Sequence, residues 1–109
     1  LNIIMNINLA KSEIIHFVGI GGIGMSGLAL IMRGLGFKIQ GSDKSLNKNV
    51  ERLKKNKIKF FLGHSSSNIK KATILVISSA NFFKEKYCSF GIPWQNYYYF
   101  FNSIYFCKS

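Results

Sequence analysis

The chain has 109 residues, with 15 Lys or Arg against 4 Asp or Glu and a formal charge of +11. That length allows one compact core and little room for a second module, and the charge favours phosphate-bearing partners without choosing among a nucleotide, a polynucleotide and an anionic membrane surface. Cys88 and Cys107 have neither CxxC spacing nor companion histidines, which argues against a disulfide framework or a metal site, and no apolar run approaches the roughly 18 residues of a membrane span, so a cytoplasmic protein is expected.

In chain order, residues 1–13 show no periodicity, and Met5 is the expected start. Ile14 to Val18 is apolar except for His16, which suits a strand buried on both faces of a parallel sheet; His16 itself is expected to be an interior, hydrogen-bonded histidine. The stretch Gly19 to Gly27, GIGGIGMSG, follows at once. Strand, glycine turn and helix in that order make the context of a phosphate-binding loop. Gly19 is expected to let the chain turn tightly, Gly21 to leave ligand space that a side chain would fill, and Gly24 to let helix pack on strand. Beyond the turn, Met25, Leu28, Ala29, Ile31, Met32 and Leu35 recur at helical spacing and predict one buried stripe, ending at Gly34 to Gly36. Unpaired N–H groups and the positive end of the dipole make the start of that helix an anion site. Ser26 has two readings, a hydroxyl on a phosphate or a bond to its own backbone.

Phe37 to Gln40 reads as a second strand with Gly41-Ser42-Asp43 as its exit turn. Asp43 lies 19 residues after Gly24, where a carboxylate in this architecture accepts hydrogen bonds from a ribose; an Asx turn or N-cap is the competing reading. Asn47 to Lys57 predicts a helix with Val50 and Leu53 inward. Lys54, Lys55, Lys57, Lys59, Lys70 and Lys71 read as a solvated face, not a nucleic-acid patch. Ile58 to Leu62 predicts the third strand, followed by a polar turn holding His64. Ala72 to Ile77 predicts the fourth, ending in Ser78 and Ser79. This alternation implies a parallel sheet with right-handed crossovers, whose strand ends gather the glycine loop, Ser42, Asp43, His64, Ser78 and Ser79 on one rim.

After Ala80 the pattern stops. Twelve of the chain's sixteen Phe, Tyr and Trp residues fall in 81–109, and no periodicity survives among them, so an irregular tail is expected. An aromatic platform for single-stranded nucleic acid would need interleaved basic residues that the tail lacks. A short membrane-associating segment is interrupted by Asn96, Asn102 and Ser103. The composition fits a frameshifted or damaged gene end.

The runs HFVGIGGIGMSGLA, GFKIQGSD, GHSSSNI and ATILVISSA together resemble the amino-terminal domain of the Mur ligase family, in the branch that joins L-alanine to UDP-N-acetylmuramate during peptidoglycan synthesis. The resemblance covers about residues 5–80. It implies an α/β, Rossmann-like three-layer fold with about four parallel strands, and UDP-N-acetylmuramate as the ligand. Gly21, Gly22, Ile23, Gly24, Met25 and Ser26 would then border the diphosphate, and Ser42, Asp43, His64, Ser78 and Ser79 would lie near the uridine or its ribose. The family uses ATP and Mg²⁺ in a central domain. Its Gly-Thr-His-Gly-Lys-Thr type loop is not found in these residues, so an amino-terminal fragment that binds neither is expected, with no catalytic residue of its own. No nucleic-acid or membrane partner is expected. The alternative is a stand-alone NAD-binding Rossmann module with Asp43 on the adenosine ribose.

Overall fold

A computed structural model describes residues 9–63, 65–78, 96–99 and 104–108. Four parallel strands form first: β1 (Ile14–Val18), β2 (Lys38–Asp43), β3 (Lys59–Leu62) and β4 (Ile74–Ser78). Helix α1 (Ile23–Gly34) joins β1 to β2, helix α2 (Lys48–Lys55) joins β2 to β3, and a 3-10 helix at Ser66–Ile69 lies between β3 and β4. Two more strands, β5 (Asn96–Tyr99) and β6 (Ile104–Lys108), complete a sheet of order β3-β2-β1-β4-β6-β5. The fold is α/β and Rossmann-like. No helix among the described residues is long and apolar enough to cross a membrane.

The tail corrects the expectation of irregular structure. β6 runs antiparallel to β4, from Ile74↔Lys108 to Ser78↔Ile104, and β5 runs antiparallel to β6. The physical cause is the open edge of β4, a row of backbone donors and acceptors that needs partners. Tyr and Phe favour the extended backbone. With aromatics at successive positions, no two-residue alternation marks such strands in the sequence.

β1 is buried throughout its last four residues, as expected of a strand covered on both faces. Ile15 and Phe17 share one cluster with Ile39, Ile74 and Val76 of the neighbouring strands and with Met25, Leu28, Ala29 and Met32 of α1 and Leu53 of α2, so both helices cover that face. Two members of the expected α1 stripe, Ile31 and Leu35, are instead 52% and 43% exposed, because the stripe on a 12-residue helix is narrower than the run of apolar letters. The opposite face carries His16, which is fully buried. Gln40 Nε2 donates to His16 Nδ1 at 2.8 Å and to the Asn68 carbonyl at 2.9 Å. Nδ1 therefore accepts, and Nε2–H donates to Ser42 Oγ at 3.0 Å. The interior histidine expected from sequence thus ties β1 and β2 to the 3-10 helix.

Both helices end in the same way. After α1, Gly36 has φ +96, its N–H bonds the Arg33 carbonyl and the Phe37 N–H bonds the Met32 carbonyl, a Schellman motif. After α2, the Lys57 N–H bonds Lys54 and the Ile58 N–H bonds Leu53, but the left-handed position, φ 61, is held by lysine. That conformation disfavours any residue with a Cβ. Lys57→Gly is expected to raise the unfolding free energy by about 1 kcal/mol, read as a higher urea midpoint at unchanged slope.

One boundary differs from the sequence reading with consequences for the site. Gly41, Ser42 and Asp43 form no exit turn: they remain in β2, paired with Phe60, Phe61 and Leu62 of β3. Small polar residues stay extended here because a neighbouring strand supplies the ladder.

Candidate functional site

The register of the four parallel strands brings Val18, Asp43, Leu62 and Ser78 to one rim of the sheet. The glycine loop leaves β1 at this rim. Gly19 adopts φ +79, the left-handed turn anticipated for it. Its N–H and that of Ile20 both donate to the Ser42 carbonyl, at 2.8 and 3.0 Å, so the loop is fastened to the end of β2. Ile20 is then driven into the core beneath the loop, fully buried. A Cβ on Gly41 would lie 2.4 Å from Ile20 Cδ1, 2.6 Å from its Cβ and 2.8 Å from the Phe17 carbonyl oxygen. The loop therefore packs directly on Gly41 of β2, and the glycine spacing gave no hint of it.

Gly21 has a different role from the expected one. Its N–H donates to Asp43 Oδ2 at 2.8 Å, and its carbonyl accepts from Asn47 Nδ2 at 3.2 Å and Asn49 Nδ2 at 3.0 Å. A Cβ there would strike Asp43 Oδ2 at 2.8 Å, Asn47 Nδ2 at 3.0 Å and Val50 Cγ2 at 3.1 Å. The space that a side chain would fill is taken by Asp43 of β2 and by Asn47 and Val50 at the start of α2. Gly24 is also corrected: a Cβ on it meets nothing within 4 Å, so it does not serve helix–strand packing but leaves the outer side of the helix start open.

What remains at the loop is the start of α1. Gly22 is its N-cap, with no side-chain cap, and the Gly22 N–H is held by the Gly19 carbonyl at 3.1 Å. The first helical bond comes from the Ser26 N–H to the Gly22 carbonyl at 2.8 Å. The N–H groups of Ile23, Gly24 and Met25 precede it and have no intrahelical acceptor. No acidic residue stands in the first turn. An anion placed there meets donors and the positive helix end, with no carboxylate in that turn to repel it.

The other sequence-derived residues divide clearly. Ser26 is buried, and its hydroxyl donates to the Ile23 carbonyl at 3.1 Å, the backbone-bonding alternative. Ser42 is 2% exposed and bonded to His16, so its carbonyl fastens the loop while its hydroxyl faces inward. Asp43 is half-buried. Besides Gly21, it accepts from the Lys44 N–H at 2.7 Å and the Ser45 N–H at 3.4 Å through Oδ1, an Asx turn. Asn47 is the N-cap of α2 and accepts from the Val50 N–H at 2.9 Å. Ser78 ends β4 on the rim; His64 and Ser79 lie outside the described residues. Ile23 is 89% exposed, with Leu62 at 64% and Leu46 at 59%, three bare apolar side chains from segments that meet at or beside this rim. Sequence reasoning missed Gly41, Asn47 and Asn49, and only Asn47, placed just ahead of an amphipathic run, carried a signal.

A model of the Mur ligase family, catalytic domain, matches residues 14–99. The chain belongs to the Mur ligase family. The match runs past Ala80 and takes in β5. UDP-N-acetylmuramate–L-alanine ligase of Pelagibacter ubique is 71% identical over 76 residues, which are 70% of this chain and 16% of that protein. The enzyme of the same name from a Wolbachia of Brugia malayi is 48% identical over 79 residues, 72% of this chain and 15% of its own. The chain thus spans about one sixth of the curated relatives it matches. Among solved structures, the UDP-N-acetylmuramate:L-alanyl-gamma-D-glutamyl-meso-diaminopimelate ligase of Neisseria superposes with a TM-score of 0.64 at 28% identity, over 74% of this chain and 27% of that one. A murein peptide ligase of Psychrobacter arcticus shares the fold with the same TM-score at 24% identity.

Proposed function

We propose that residues 5–80 are the UDP-N-acetylmuramate-binding domain of a peptidoglycan-synthesis ligase that adds L-alanine to that nucleotide sugar. The observation that carries the reading is the helix start at the sheet rim, where the N–H groups of Ile23, Gly24 and Met25 stand free of side-chain caps. They are suited to a diphosphate, which brings charge to the positive end of the helix dipole and acceptors to its donors. Asp43 braces the loop through Gly21. Its Oδ2, which takes only the Gly21 N–H, keeps a further lone pair for a ribose hydroxyl. The exposed side chain of Ile23 lies ready to cover one side of the ligand. Ser78, which ends β4, together with Ser79 and His64, completes the uridine side of this proposal.

ATP and Mg²⁺, which the family uses, find no matching residues here. The sequence has no glycine loop ending in Gly-Lys followed by Ser or Thr. Among the described residues no three His, Cys, Asp or Glu side chains are placed to hold a metal. The work of these residues is to bind and orient the nucleotide sugar.

Calorimetric titration of the chain, first checked for folding by circular dichroism, tests the reading. Saturable heat with UDP-N-acetylmuramate and none with NAD is the expected result. A response to NAD alone would replace this reading with that of a dinucleotide-binding module.

A further inference from the structure

The lysines that read in sequence as one solvated face separate into two groups in the fold. Lys54 and Lys55 stay exposed on α2, with Lys54 Nζ 5.4 Å from the centre of the Phe60 ring, and line neither of the two basic concavities. Lys59, Lys70 and Lys71 instead surround a concavity of about 360 Å³, with Gln40, Phe61, Ser67 and Asn68 completing it. Strand alternation puts Gln40, Lys59 and Phe61 on the same side as His16, the face opposite the two helices, and the 3-10 helix overhangs them. A second concavity of about 290 Å³ is lined by Arg33, Lys38, Lys57 and Lys59 with Ile14, Ile39 and Gln40. The two share Lys59 and Gln40 and so adjoin.

Their position and their charge argue together. Ile14, Lys38 and Lys59 begin β1, β2 and β3, so the second concavity lies at the end of the sheet away from the glycine loop, and the first extends from Lys59 along β3 to Phe61. Among the described residues six cationic side chains line the combined groove and no carboxylate does. Concave, like-charged walls focus the field and raise the local concentration of counter-anions. The one aromatic ring among the described lining residues, Phe61, is engaged: Lys59 Nζ lies over it at 5.1 Å and the His16 ring is 6.1 Å away. A stacked base would have to compete with that lysine for the ring, and a single aromatic gives no run of stacking platforms, which disfavours single-stranded nucleic acid. Two adjoining basic basins that share a central lysine fit phosphates in series.

We propose that this groove binds a short linear chain of phosphates, one in each basin, with Lys59 between them. The proposal stands independently of the nucleotide-sugar reading, because it uses none of the same residues.

Titration of the full chain with sodium tripolyphosphate at about 0.15 M ionic strength tests it, since exposed charges more than about 8 Å apart are screened under those conditions. K59Q and the double variant K70Q/K71Q are expected to weaken binding by about tenfold or more, as loss of charge-assisted contacts does. K54Q/K55Q removes the same charge as the double variant from exposed positions on α2 and is expected to change affinity less than about twofold. Equal losses in both double variants would mean diffuse attraction, and unchanged binding in K59Q and K70Q/K71Q would place the anion elsewhere, including on the glycine loop; either result overturns the proposal. So would an absence of saturable binding, or tighter binding of a single-stranded RNA than of tripolyphosphate at equal phosphate concentration.

Discussion

Gly41→Ala is expected to lower the unfolding free energy by about 3 kcal/mol, the upper end of the cost of forcing atoms into a packed interior. The new methyl would meet three atoms at 2.4 to 2.8 Å, and one of them is a backbone oxygen of β1. Ile20 Cδ1 can swing aside, but its Cβ and the Phe17 carbonyl cannot move without displacing the loop or the strand. The cost therefore falls on the junction that fixes the start of α1, and nucleotide-sugar affinity is expected to fall with stability. Equilibrium urea unfolding checks the figure. A midpoint within error of the parent chain would mean that the loop does not rest on β2 as described.

Asp43→Ala has the second largest expected effect. It removes the acceptor of the Gly21 N–H and the Asx turn that starts the β2–α2 connection. A part-buried donor left without a partner costs about 1–3 kcal/mol. Because Asp43 braces the loop and also faces the proposed ribose position, affinity for UDP-N-acetylmuramate is expected to drop by more than the stability loss alone implies. Asp43→Asn keeps one carbonyl acceptor and should lose about half as much stability. If Asp43→Ala left the urea midpoint unchanged, the tie to Gly21 would be of no structural consequence.

Much of this fold was legible from letter patterns, for reasons that particular residues make plain. The β-branched run Ile74 to Ile77 and the alternation of apolar runs with amphipathic ones gave four strands and two helices, because each element has its own buried surface to declare. Gly19 was legible because a turn after a buried strand demands a left-handed residue. Gly21 and Gly24 were not, since spacing records that glycine is needed but not which neighbour requires it; Asp43 and Asn47 come from another segment altogether. Ser42 was read as part of an exit turn because β2 was read as ending three residues early. Lys57 shows the converse, a helix stop written in Leu53 and Ile58 without the usual glycine. The tail was illegible because its strands depend on the open edge of β4 and not on any alternation of their own.

The site divides in the same manner. The proposed anion site at the start of α1 followed from sequence order alone, whereas the brace beneath it, made by Gly41, Asp43, Asn47 and Asn49, exists only through contacts between segments distant in the chain. The pattern therefore pointed to the proposed ligand position, while the fold supplied what holds the loop in place.

Amide proton–nitrogen spectra recorded across a titration with UDP-N-acetylmuramate address the central claim at the atoms concerned. Saturable shifts of the Ile23, Gly24 and Met25 N–H signals, with that of Gly21 following through Asp43, are the predicted result. Unmoved signals at those three residues while the ligand perturbs others would contradict the account.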